Sequence, residues 1–109
     1  MKLPIQHRLF VNSEYWDLGR HILDACLVDG IVIVIFDYMS YPREKQARNM
    51  VAYDLQKRKL WTAEHPTNEA ADTYVNFLSY APLRACNFRS FDCTINPQTG
   101  GIIETNFTK

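Results

Sequence analysis

Residues 29–38 read DGIVIVIFDY, and residues 31–36 within them are the longest unbroken apolar run of the chain. Ile31, Val32, Ile33, Val34 and Ile35 are β-branched and Phe36 is aromatic, a set that loses side-chain freedom in a helix and suits a pleated strand. With no polar residue alternating, such a strand has to be covered on both faces, so neighbouring segments must supply two apolar layers. The run is also far short of the ~20 apolar residues that a membrane-spanning helix needs.

The demand for two layers falls on 109 residues, enough for one domain that buries roughly two-thirds of its unfolded surface. No linker composition divides the chain, so residues 1–109 are read as a single domain. Hydrophobic residues at 47% and charged residues at 22% belong to a folded globular protein rather than a disordered one. Twelve Lys plus Arg balance twelve Asp plus Glu, which removes the field that draws a protein to nucleic acid or anionic lipid, and neither partner is expected. The opening MKLPIQHRLF carries Pro4, His7 and Arg8 where an export signal needs a continuous apolar core, so a cytoplasmic location is expected. Cys26, Cys86 and Cys93 are odd in number and form no CxxC, which argues for buried thiols rather than a disulfide framework.

Residues 5–11 alternate loosely and predict an opening strand with Pro4 at its start. Residues 13–28, SEYWDLGRHILDACLV, admit a helix capped by Ser13 with Leu18, Ile22 and Cys26 on one stripe. They also admit a break at Gly19 and a strand over 20–28 that turns through Asp29 and Gly30 into the central run. Asp-Gly favours a two-residue type I′ hairpin, and this is the preferred reading. Residues 39–46 predict a surface connection or a single helical turn. Residues 49–64 divide between a helix, with Ala47, Met50, Val51 and Leu55 on its stripe, and a hairpin turning at Gln56, Lys57 and Arg58.

Sliding the sequence by forty-two residues tips that choice toward the hairpin. Val32, Ile33, Ile35, Phe36 and Tyr38 then fall on Tyr74, Val75, Phe77, Leu78 and Tyr80, and Asp54 and Trp61 fall on Asn96 and Ile103. The second copy of the loop holds Pro97 and Gly100, which suit a turn and oppose a helix. The predicted fold is an all-β antiparallel meander of about eight short strands. It forms two blade-like units, residues 29–65 and 71–107, with an α+β fold carrying a helix over 43–60 as the alternative.

Two segments resemble the blade repeat of quinoprotein-type β-propellers, whose consensus runs close to "v-y-A-l-D-x-x-T-G-k-x-l-W". NMVAYDLQKRKLW supplies Ala52, Asp54, Lys59, Leu60 and Trp61, whereas TINPQTGGII supplies Thr99 and Gly100 but has Asn96 for the Asp and Ile103 for the Trp. The resemblance implies structural roles: the Asp and the turn residues pin the hairpin, and the Trp packs between blades. A full ring needs at least four blades, so the cofactor and calcium at the centre of such enzymes do not carry over. The sequence is also similar in general look to small bacterial proteins to which no activity attaches.

His7, His21 and His65 are scattered, with no metal-ligand spacing, and no metal, cofactor or catalytic residue is expected. Asp37, Asp54 and Asp92 lie near predicted strand ends, where turn capping explains Asp54 more simply than acid–base work. Arg43, Lys45, Arg48, Lys57, Arg58 and Lys59 cluster around two predicted loops beside Tyr41 and Tyr53, a pattern of a solvated face. Hairpins and aromatics without a reactive cluster point to a non-enzymatic interaction or assembly domain. Its partner is a protein or a second copy, with Trp16, Tyr41, Arg43, Arg58 and Trp61 as contact residues. The rival reading is a small-molecule-binding or hydrolase-like domain with a pocket near Asp37, His65, Asp92 and Cys93.

Overall fold

The computed structural model describes residues 8–42 and 44–107. Within them the chain forms β1 (Arg8–Val11), β2 (Glu14–Asp17), β3 (Ile22–Val28), β4 (Ile31–Phe36), β5 (Met50–Tyr53) and β6 (Lys59–Thr62). It continues through β7 (Tyr74–Tyr80), β8 (Leu83–Asn87), β9 (Phe91–Ile95) and β10 (Ile102–Phe107). The fold is all-β, and a 3-10 turn at Tyr38–Ser40 is the only helical element among the described residues. All pairings are antiparallel: a β1–β2 hairpin, a first sheet β3-β4-β5-β6 and a second sheet β7-β8-β9-β10, each sheet a meander.

The central run becomes β4, and its two faces explain the layering. Ile33 and Ile35 point into a core shared with the second sheet, where they meet Met50, Ala52, Trp61, Tyr74, Phe77, Ala85, Cys93 and Ile95. Val32, Val34 and Phe36 point the other way, into a core closed by Leu9, Val11 and Trp16 of the β1–β2 hairpin. Three layers follow from one strand without polar alternation. The turn into β4 has positive φ at both Asp29 (50°) and Gly30 (75°), as a type I′ turn requires.

Several expectations change in detail. Residues 13–28 form no helix: Ser13 is a turn residue with φ 64°, joined to Asn12 in the β1–β2 turn, and β2 adds a strand that the sequence reading lacked. Of the opening strand, residues 8–11 are β1, and residues 5–7 lie outside the described residues. The alternative helix over 43–60 does not form. Asp54 breaks it by closing a turn, its Oδ1 accepting from the N–H groups of Gln56 and Arg58 at 2.9 Å each. Strand positions relate the two sheets with two different offsets. Ile22 and Ile31 lead to Tyr74 and Leu83, an offset of fifty-two, whereas Tyr53 leads to Ile95, an offset of forty-two. The difference is one connection: residues 37–49 between β4 and β5 against residues 88–90 between β8 and β9.

Polar side chains, Asn49 buried and Asp24 half-buried, tie the sheets together. Asn49 sits before β5, and its side chain donates to the carbonyls of Phe36 and Tyr74 at 2.8 Å each while accepting from the Tyr74 N–H at 3.0 Å. It thus replaces a strand neighbour for Tyr74 across the sheet boundary. Asp24, at an irregularity in β3, accepts from the Phe77 N–H at 3.0 Å. At the far edge, Trp61 donates its indole N–H to the Pro97 carbonyl at 2.9 Å. Its ring lies so close to Gly100 that a Cβ there would stand 2.5 Å from Trp61 Cε3.

Candidate functional site

The long connection 37–49 is the feature that the second sheet lacks, and its described residues contribute to a concave surface. Asp37 opens it by accepting from the Met39 N–H at 2.8 Å, which caps the 3-10 turn and leaves Met39 67% exposed. Arg20 holds the turn from outside, donating to the Ser40 carbonyl at 3.1 Å with its guanidinium 4.0 Å from the centre of the Tyr41 ring. Burial pushes the Tyr41 hydroxyl above its ordinary pKa, and Arg20 partly opposes that rise. Further along, the Gln46 amide donates to the carbonyls of Thr67 and Asp72, at 2.9 and 3.1 Å, and fastens the connection to the link between the sheets.

In an antiparallel meander the connection after β4 and the link after β6 leave the first sheet at the same end. The β8–β9 turn joins them from the second sheet, where the Phe88 N–H donates to the Thr73 carbonyl at 2.8 Å and the Phe88 ring meets Tyr38 at 5.7 Å. A cleft of about 190 Å³ opens between these three connections. Tyr38, Met39, Tyr41, Pro42 and Phe88 give it an aromatic and apolar lining, and Ala47, Ala70, Ala71 and Thr73 add small side chains. Lys45 is its one charged lining residue among those described.

Asp72 lies between two lining residues but turns inward, with no exposed side-chain surface. Its Oδ2 accepts from the Thr67 N–H and hydroxyl at 2.7 and 2.6 Å, and its Oδ1 accepts from the Asn87 amide at 2.6 Å. His65 Nδ1 reaches the same Oδ1 at 3.3 Å, and the imidazole lies tilted against Tyr74 with ring centres 4.8 Å apart. Burial pulls the His65 pKa down more strongly than Asp72 raises it, so the ring is neutral at pH 7. The pair has the spacing of an orienting carboxylate and a base. Yet both side chains are fully enclosed, and His65 Nε2 has no hydrogen-bond partner among the described residues. What this cluster does is fix the inter-sheet link and with it Ala71 and Thr73 of the cleft lining.

The residues singled out from sequence fall in different places. Tyr41 lines the cleft, and Arg43 lies outside the described residues. Arg58 is exposed but bonds Asp54 at 2.7 Å across its turn, while Trp16 and Trp61 are core residues at 2% and 8% exposure, unavailable to a partner. Their burial answers local needs: Trp16 covers β4, and Trp61 seats the β9–β10 turn. The pocket expected near Asp37, His65, Asp92 and Cys93 does not assemble. Adjacent residues of a strand face opposite sides, so Cys93 enters the inter-sheet core while Asp92 pairs with Arg84 on the outer face of the second sheet. Asp37 caps its turn at the cleft rim. The basic cluster also divides, because the 37–49 connection and the 54–58 turn lie at opposite ends of β5. Among the described residues no group of three His, Cys, Asp or Glu could hold a metal ion. No helix among them is long and apolar enough to cross a membrane.

Sequence reasoning missed Tyr38, Met39, Pro42 and Phe88 as a group. Phe88 is fifty residues from Tyr38, and only the difference in length between the two equivalent connections could have signalled that something is built there.

Fold and cleft together define an all-β domain with a small aromatic-walled recess at the junction of two sheets. Residues 5–107 match the profile of the DUF7957 family, described as a domain of unknown function, and the chain belongs to that family. No curated protein and no solved structure is similar enough to the chain to match it.

Proposed function

We propose that this chain is a non-enzymatic protein-interaction domain that docks a partner protein through the aromatic cleft. The observation that carries the reading is the pairing of exposure with shape. Met39 and Phe88, at 67% and 60% exposed, stand in a recess already walled by Tyr38 and Tyr41. Exposed apolar groups lining a concavity mark interaction sites, and Met and aromatic side chains are enriched at them.

Size separates a protein partner from a cofactor or substrate. Small-molecule sites commonly enclose about 300–1,000 Å³, and this cleft, at about 190 Å³, has room for one bulky side chain of an approaching chain. Among the described lining residues there is no pair of titratable groups in hydrogen-bond contact that could act on a reacting molecule. The likeness of the β5–β6 and β9–β10 hairpins to propeller blades supports the same view, since it implies packing roles. Trp61 on Gly100 fills such a role. Three free thiols, none paired, suit a reducing compartment, and we place the domain in the cytoplasm.

Self-assembly is the second reading, favoured by the edge strand β10, where Ile103 and Phe107 are both exposed. One experiment separates the readings: native mass spectrometry of wild type and of a Met39→Ser/Phe88→Ser variant, each recovered gently from the host. A stoichiometric second protein on the wild type, lost from the variant, is the expected result. A homo-oligomer that survives in the variant would favour β10. A bare monomer carrying a small-molecule mass would contradict the proposal.

A further inference from the structure

Given the docking reading above, on which this inference rests, the charge of the cleft specifies its occupant further. Among the described residues Lys45 is the only charged side chain in the lining, and it forms no ion pair with any of them. Two other cations nearby are committed. Arg20 lies over the Tyr41 ring and bonds the Ser40 carbonyl, while Arg89 pairs with Glu69 at 2.9 Å. An unpaired ammonium against an apolar wall gains more from a carboxylate than one facing open solvent, because the wall excludes part of the screening water.

The apolar part of the site selects as well. Ala47, Ala70 and Ala71 keep part of the lining free of bulk, and Tyr38, Tyr41 and Phe88 contribute their rings beside the Met39 thioether. Ring edges and faces, and sulfur beside a ring, favour an entering aromatic over an aliphatic side chain. We infer that the cleft binds a peptide segment of its partner that inserts one aromatic side chain among Tyr38, Tyr41 and Phe88 and sets a neighbouring Asp or Glu carboxylate against Lys45.

The test is a selection from random peptides displayed inside a carrier loop, so that side chains are the only source of carboxylates. Wild type, Lys45→Glu and Phe88→Ser are used as baits. Lys45 and Phe88 are both exposed, and an unchanged cooperative melting transition confirms that each variant is folded. Wild type should enrich an aromatic residue beside an acidic one, and Lys45→Glu should enrich Lys or Arg beside the same aromatic. A selected peptide should lose about fivefold in affinity on Lys45→Ala, with the difference shrinking at high salt. Enrichment of aromatic peptides with no acidic preference, or the same peptides on Lys45→Glu, would overturn this inference and leave the docking site standing. No enrichment on wild type beyond that on Phe88→Ser would overturn both.

Discussion

Asn49 shows how much a single buried side chain can organise. Its amide meets both backbone groups of Tyr74, so Asn49→Ala leaves a buried N–H and a buried carbonyl without their partner. The expected cost is about 3 kcal/mol, read as a lower urea midpoint with an unchanged slope. Gly100→Ala acts by sterics, because φ is 78° there and the added methyl would meet the Trp61 ring at 2.5 Å. A loss of about 1–3 kcal/mol is expected, and Trp61 fluorescence should shift with it. The thiols differ by burial. Cys26 is pushed up to about 12 by desolvation with Asp24 adding to the rise, and Cys93 is raised chiefly by burial. Only Cys86, half-buried and donating to Asn76 Oδ1, should react with a thiol reagent in the folded protein. Two rapidly labelled thiols per chain would contradict that assignment.

At the scale of elements, the inter-sheet link couples stability to pH. His65 titrates at 6.5 when unfolded and lower when folded, so the unfolded chain takes up its proton first as pH falls. The stability due to a neutral His65 is therefore fully present above 6.5 and is lost as pH drops from there toward the folded value. Urea midpoints between pH 7 and 5 should fall for wild type and fall less for His65→Gln. The lowered Asp54 carboxyl, held down first by the Arg58 backbone N–H, acts only below its unfolded value of 3.8 and so lies outside this window. The β1–β2 hairpin carries a different burden, covering Ile22, Val32, Val34 and Phe36 of the first sheet. Deleting residues 1–17 should leave an aggregating chain, and a well-dispersed NMR spectrum from the truncated protein would refute the three-layer account.

These elements also show what could be read from sequence. Residues 31–36 announced a doubly covered strand because their chemistry allows little else, and Asp29-Gly30 and Asp54 announced their turns because turn chemistry is local. β2 escaped notice because EYWD is too short and mixed to show a period, and its burial of Trp16 depends on β4, far along the chain. The tryptophans and His65 were misplaced for the same reason: their surroundings come from segments remote in sequence. The gapless forty-two-residue comparison caught the β5–β6 and β9–β10 hairpins and missed the longer connection, which a comparison without gaps absorbs by pairing the wrong strands.

For the whole molecule, the two faces of the sheet pair are closed in different ways. The β1–β2 hairpin seals one, while the other carries Arg84, Cys86 and Thr94 along β8 and β9, with Asp92 buried and paired to Arg84. The recess at Met39 and Phe88 is the surface through which docking is proposed. Met39 and Met50 make the most direct test, because one lines the cleft and the other is fully buried in the core. Carbon-13 methyl spectra of methionine-labelled protein, recorded with and without the co-purified partner or a selected peptide, should show the Met39 signal shifting and the Met50 signal holding still. Saturable binding that leaves Met39 unmoved would place the contact elsewhere and contradict the cleft as the docking site.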